Sequence, residues 1–202
     1  MMEFVANIES KWGKLETVGH CMQNGKMPFV SEQARLNMLF LPEDINDLIA
    51  KVEKKFECRL PEQLIKFYTS FNGCRLFFNS LNVFGIQVHP SEQYQPFDLF
   101  VENNHILGSL KAKERKVCDL VFVSSIGGDY AFGFNRSNPS GIVGIRKGSL
   151  SAAVQCFDSF DVFFDHYYSK LLNEYGDDCR KKNPTRQFIG IPALEHQTNE
   201  IL

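Results

Sequence analysis

The chain has 202 residues and a net charge of −2, which suits one domain with appendages and gives no general attraction to nucleic acid or anionic membranes. A hydrophobic fraction of 44% with 19 Phe is enough for a sizeable core, yet no window approaches the ~18 consecutive apolar residues of a membrane span. Six cysteines without a CxxC pair, behind an opening MMEFVANIESKWGK that lacks an apolar signal core, argue against a secreted disulfide scaffold and for free thiols in a cytoplasmic protein.

Residues 3–16 carry Phe4, Val5, Ile8, Trp12 and Leu15 at helical spacing, weakened by Gly13. Residues 19–28 read as a loop around Asn24-Gly25, and Ser31 is placed to cap a short helix containing Leu36, Leu39 and Phe40. Residues 1–40 are thus expected to form a helical leader packed on the domain. Two amphipathic helices follow. In the first, Ile45, Leu48, Ile49, Val52 and Phe56 form one stripe, with Pro42 at the start and Lys51, Glu53, Lys54 and Lys55 on the wet face. In the second, opened by Pro61, the residues Leu64, Ile65, Tyr68 and Phe71 point one way, and Asn72-Gly73 is placed to end it in the left-handed conformation.

After Gly73 the helical period stops. Residues 76–84 suit one or two strands, and residues 91–110 read as a loop with a short helix near 96–102. From Asp119 the pattern is strand, Gly127-Gly128 turn, strand, which predicts a two-residue hairpin. On its second arm Tyr130, Phe132 and Phe134 share one face. A longer turn over 135–141 leads to a strand over 142–146, completing a three-stranded meander. Asp158 or Ser159 then caps a helix whose Phe160, Phe163, Phe164, Tyr167 and Leu171 form a stripe that stops at Gly176. Residues 176–202 are expected to form an irregular tail, partly docked through Phe188 to Leu194. The class is α+β, an antiparallel sheet with helices packed against it.

The templates for catalysis fail: there is no GxSxG elbow, P-loop, HExxH or GxGxxG after a strand. The aromatic alternation of Tyr130 to Asn135 lacks the basic residues of an RNA-stacking platform and reads as core. His20-Cys21 has no second ligand pair nearby, so no metal is expected. Cys118 and Cys156 read as small buried hydrophobes, and His166 has no nucleophile in local reach. Asp129 at the turn tip is read first as a ligand for nearby backbone amides and second as an exposed carboxylate for a basic partner.

The ordered motifs resemble the SUKH superfamily, the Smi/Knr-like cell-wall regulator and bacterial toxin-immunity family. The pattern E-x-x-LP-x-x-[LI]-x-x-[FY]-x-x-x-NG is matched by Glu57, Leu60-Pro61, Leu64-Ile65, Phe67-Tyr68 and Asn72-Gly73. A Gly-Asp hairpin is matched by Gly127-Gly128-Asp129-Tyr130, a following strand by Gly141-Ile142-Val143, and a terminal helix opening on SF by Ser159-Phe160. The likeness spans residues 41–175. It implies an α+β binding module without catalysis or cofactor, one that as an immunity protein neutralises a cognate toxin, often a nuclease or deaminase. The alternatives are an interaction scaffold of the fungal regulator kind, and an enzyme whose site is assembled through space. A partner is expected at the sheet rim, on Asp129, Asn135, Arg136 and Asn138, with Glu92, Asp98 and Glu102 contributing from the acidic segment before the hairpin. The protein itself is expected as a monomer or weak dimer.

Overall fold

The computed structural model describes residues 2–18, 21–24, 34–37, 42–77, 80–86, 98–127, 129–151, 153–176 and 182–183. Among these, nine strands lie in one antiparallel sheet in simple sequence order. They are β1 (Leu15–Val18), β2 (Cys21–Asn24), β3 (Ala34–Asn37), β4 (Cys74–Leu76), β5 (Leu81–Val83), β6 (Leu120–Ile126), β7 (Tyr130–Asn135), β8 (Asn138–Arg146) and β9 (Val154–Phe157). The helices are α1 (Met2–Trp12), α2 (Pro42–Phe56), α3 (Glu62–Tyr68), α4 (Leu99–Ser109), α5 (Ala112–Lys116) and α6 (Phe160–Glu174). The class is α+β, and six of the strands, β4 to β9, surround the expected meander.

The clearest periodicities give the best-formed helices. All five stripe residues of α6 are buried, and Ser159 caps it with its Oγ accepting from the Val162 amide. Phe163 and Tyr167 press on Phe132 of β7, with ring centroids 4.8 and 5.3 Å away. Phe67 of α3 packs between Phe160 and Phe164 at 5.8 Å from each, which ties α3 to α6. Burying one such ring contributes roughly 1.5–3 kcal/mol. Phe132 and Phe134 of β7 therefore fill the core, as expected, while Tyr130 is only partly buried.

Several expectations are corrected. Leader residues 15–18, 21–24 and 34–37 are strands, and β3 pairs with β4, so the helix expected around Leu36 is replaced by an extension of the sheet. The cap at Ser31 lies outside the described residues. Helix α1 ends at Trp12 because Gly13, with φ of 93°, is its left-handed terminator rather than an interior defect. Lys11 reaches across to the carbonyls of Leu172 and Tyr175 (3.2 and 2.9 Å), a cation at the negative end of α6. Helix α4 begins at Leu99, behind its cap Asp98, and runs on to Ser109, past the short helix expected. The β6–β7 turn takes three residues, since Ile126 pairs with Tyr130, and its Gly128 lies outside the described residues. Asn138 to Ser140 belong to β8, not to a loop, because Asn135 pairs directly with Asn138. The apolar cluster 188–194 lies outside the described residues.

The Asn72-Gly73 pair does not end α3, which stops at Tyr68. Asn72 is 2% exposed; its Nδ2 donates to the Ile86 carbonyl (2.7 Å) and its Oδ1 accepts from the Ile86 amide (2.6 Å). Gly73 has φ of 78°, and a Cβ there would lie 2.7 Å from the Gly85 Cα. Tyr68 adds a bond from its hydroxyl to the Phe84 carbonyl (2.8 Å). The signature thus stitches the chain after α3 to residues 84–86.

Candidate functional site

Where α2 meets α3, the chain turns sharply at Glu57, a non-glycine residue with φ of 52°. That conformation costs on the order of 1–2 kcal/mol. Glu53 holds the joint: Oε1 accepts from the Leu60 amide (3.0 Å) and Oε2 binds Arg59 (2.8 Å). Its side chain is 13% exposed, so it is turned out of the wet face of α2 on which its spacing places it. Leu60 and Pro61 are buried beneath the joint, and Phe56 stacks on Phe100 of α4 at 5.5 Å.

The two-residue turn between β7 and β8, Arg136-Ser137, stands opposite this joint. Asn135 Oδ1 accepts from the Ser137 amide (2.9 Å) and from its hydroxyl (2.6 Å), while that hydroxyl also lies 3.0 Å from an Asp119 carboxylate oxygen. The Arg136 amide donates to the Asp119 carbonyl at 2.7 Å, and its guanidinium faces the Asp119 carboxylate at 3.6 Å. The turn is therefore pinned before anything binds it. Between joint and turn lies an open groove of about 640 Å³, lined by Ala50, Glu53, Lys54, Glu57, Cys58, Arg59, Arg136, Ser137 and Pro139. Arg136 Nε is buried there, and the Asp119 carboxylate that faces it at 3.6 Å lies beyond hydrogen-bond distance. The Cys58 thiol is pushed up, first by burial and then by the Glu53 carboxylate, with Arg136 partly offsetting them.

The expected partner residues fall in separate places. Arg136 lines the groove, Asn135 pins its turn, and Asn138 accepts from the Ser140 hydroxyl beside it (2.9 Å). Asp129 sits at the opposite end of β7, exposed, with its carbonyl accepting from the Lys147 amide at 2.8 Å. Its expected side-chain bond to the turn amides is absent among the described residues. Asp98 is 7% exposed and spends its carboxylate as the cap of α4, accepting from the Phe100 and Val101 amides at 2.9 Å each. Glu102 is half-buried near Lys147 and His105, and burial pushes its carboxyl up. Glu92 lies outside the described residues. The contribution of Glu53, Glu57 and Arg59 to a groove was not visible in the sequence: no local pattern joins residues 53–59 to residues 136–139.

Of the fold-signature residues, Leu60, Pro61, Tyr68, Asn72, Gly73 and Phe160 are buried, Glu57 and Gly127 take positive φ, and Gly128 lies outside the described residues. The family model for SMI1 / KNR4 (SUKH-1) matches residues 46–166, from within α2 to within α6. The chain belongs to the SMI1 / KNR4 family. No curated protein matches it. In this SUKH-1 domain no group of three or more His, Cys, Asp or Glu could hold a metal among the described residues. No helix there is long and apolar enough to cross a membrane. Cys58, Cys74, Cys118 and Cys156 are free thiols, though Cys118 and Cys156 are only partly buried where full burial was expected.

Proposed function

We propose that this SUKH-1 chain is a non-catalytic protein-binding module of the cytoplasm, and that its partner is a cognate protein toxin which it neutralises by occlusion. The observation that carries the reading is Arg136 at the groove. Its side chain is 33% exposed, with Nε buried against the Asp119 carboxylate at 3.6 Å, on a turn already fixed by Asn135, Ser137 and Asp119. A carboxylate or carbonyl from a partner would pair with the exposed part of the guanidinium at little ordering cost, and arginines so placed are the usual energetic anchors of interfaces. The groove favours binding over chemistry, because Cys58 is its only thiol, is held protonated by burial, and has no imidazole among the lining residues.

The test is co-expression with the product of a neighbouring reading frame that has a toxin-like C-terminal domain. Protection of the host and co-elution of the two chains are expected, with Arg136→Glu weakening the complex at least about tenfold. Killing without a complex would sink the binding reading. A complex without protection would replace the immunity role with that of a regulatory scaffold.

A further inference from the structure

A second surface is built from segments far apart in sequence. Helix α5 carries exposed Lys113, Arg115 and Lys116, and exposed Lys111 precedes it at the N-cap. Its one acid, Glu114, is turned away from solvent-side partners: Oε1 accepts from the Leu150 amide (2.8 Å) and the Ser151 amide (3.2 Å), and lies 3.4 Å from the Ser149 hydroxyl. These bonds hold its carboxyl below the usual range. They also fasten α5 to the turn after β8, where Arg146 is exposed and the Ser149 amide donates to the Arg146 carbonyl. Lys147 follows at once. Arg115 spends one nitrogen on the Gly108 and Leu110 carbonyls, which fixes the other end of the short helix. None of these cations forms a salt bridge among the described residues. Val117, next along the chain, is 74% exposed, more than Val101 or Val162.

We infer that α5 and the β8–β9 turn form a docking surface for an acidic protein segment that also carries an apolar side chain. The cations supply attraction and the exposed valine supplies a dry contact at their edge. A compact acidic segment meets only this knob. An extended polyanion such as a duplex or an anionic bilayer would also meet the carboxylates of Asp129 and Glu102 near Lys147, within a chain of net charge −2. The inference does not rest on the groove, and the two surfaces share no residue.

The experiment titrates the full-length protein with a synthetic Asp/Glu-rich peptide containing one leucine, read by amide chemical shifts. Shifts concentrated on residues 111–117 and 146–151, and a Kd about tenfold weaker for Lys113→Glu/Lys116→Glu, are expected. Lys51→Glu/Lys55→Glu, which changes the net charge equally on the exposed face of α2, should leave the Kd within about twofold. Equal weakening by both variants, or shifts spread over the whole surface, would reduce the effect to net charge and overturn the inference. Tighter binding to phosphatidylserine vesicles or to duplex DNA than to the peptide would overturn the choice of partner.

Discussion

Asn72 offers the sharpest test of why the family signature exists. Replacing it with alanine removes both bonds to Ile86 and leaves a buried amide and a buried carbonyl without their partner, at a residue that is 0% exposed. An orphaned buried group costs about 1–3 kcal/mol, so Asn72→Ala should cost roughly 2–4 kcal/mol once partial relaxation is allowed. Asn72→Asp separates the two bonds. The new carboxylate can still accept from the Ile86 amide but faces the Ile86 carbonyl as a buried charge. It should be at least as destabilising as alanine at neutral pH. Its folded-state pKa would be raised, so the unfolded chain ionises first and stability should recover as pH falls towards the ordinary carboxyl range. The assay is urea denaturation, with a lower midpoint at unchanged slope. Native-state hydrogen exchange at Ile86 reports the bond directly. A midpoint shift worth less than ~0.5 kcal/mol for Asn72→Ala, with Ile86 still protected, would refute the stitching role.

Close backbone approaches, the α2–α3 joint and the buried thiols give further predictions. Gly73→Ala and Gly133→Ala should each cost about 3 kcal/mol or more, because their Cβ atoms would lie 2.7 Å from Gly85 Cα and 2.2 Å from the Val121 carbonyl oxygen. Thermal denaturation or soluble yield will show it. Glu53→Gln keeps an acceptor for the Leu60 amide but loses the charge on Arg59, so it should retain more stability than Glu53→Ala, whose loss is about 1–2 kcal/mol by urea midpoint. Burial pushes the Cys156 thiol up to about 11 and the Cys74 thiol up to about 12. Alkylation of both in the folded protein should be slow at neutral pH and rise only in strong alkali, while unfolding in denaturant should release ordinary reactivity.

Periodicity reveals those elements whose buried face is wholly apolar. The stripe of α6 meets that condition in every residue, and that of α2 in Ile45, Ile49 and Val52, although Glu53 is drawn in to the joint against its polar pattern. Helix α4 does not: between Leu99 and Ile106 its buried face carries Asn103, which reads as a polar interruption. The structure shows Asn103 satisfied on every side, donating to the Leu99 and Phe122 carbonyls and accepting from the Phe122 amide. A buried amide that clamps a helix to a strand is invisible to a hydrophobicity pattern. Strand β3 has only four residues, and its state is decided by pairing with β4, some forty positions later, so local helical spacing misled. The same limit applies to the site. The motif residues from Glu57 to Gly73 could be matched in order, but the groove arises only when the α2–α3 joint folds against the β7–β8 turn.

That geometry also decides which of the expected binding residues can act together. Asp129 and Arg136 bracket β7, a six-residue strand, so roughly 20 Å of chain separates them along the strand axis. The strand between is not available as a bridge, since Ala131, Phe132, Gly133 and Phe134 are all buried. The two turns therefore open at opposite ends of the sheet. A partner of ordinary footprint, about 800 Å² on each side and so roughly 16 Å in radius, leaves the Asp129 turn in water when it is centred on the groove. Asp129→Lys should accordingly change the Kd of a groove-bound partner by less than about twofold, whereas Arg136→Glu should weaken it at least about tenfold. The two substitutions change the net charge equally but in opposite directions, so net charge alone would shift the Kd by similar factors in opposite directions. If Asp129→Lys cost as much as Arg136→Glu in an isothermal titration, with both variants folded as judged by urea midpoints, the partner would have to engage both ends of β7. The groove would then be only one edge of a surface running around the sheet.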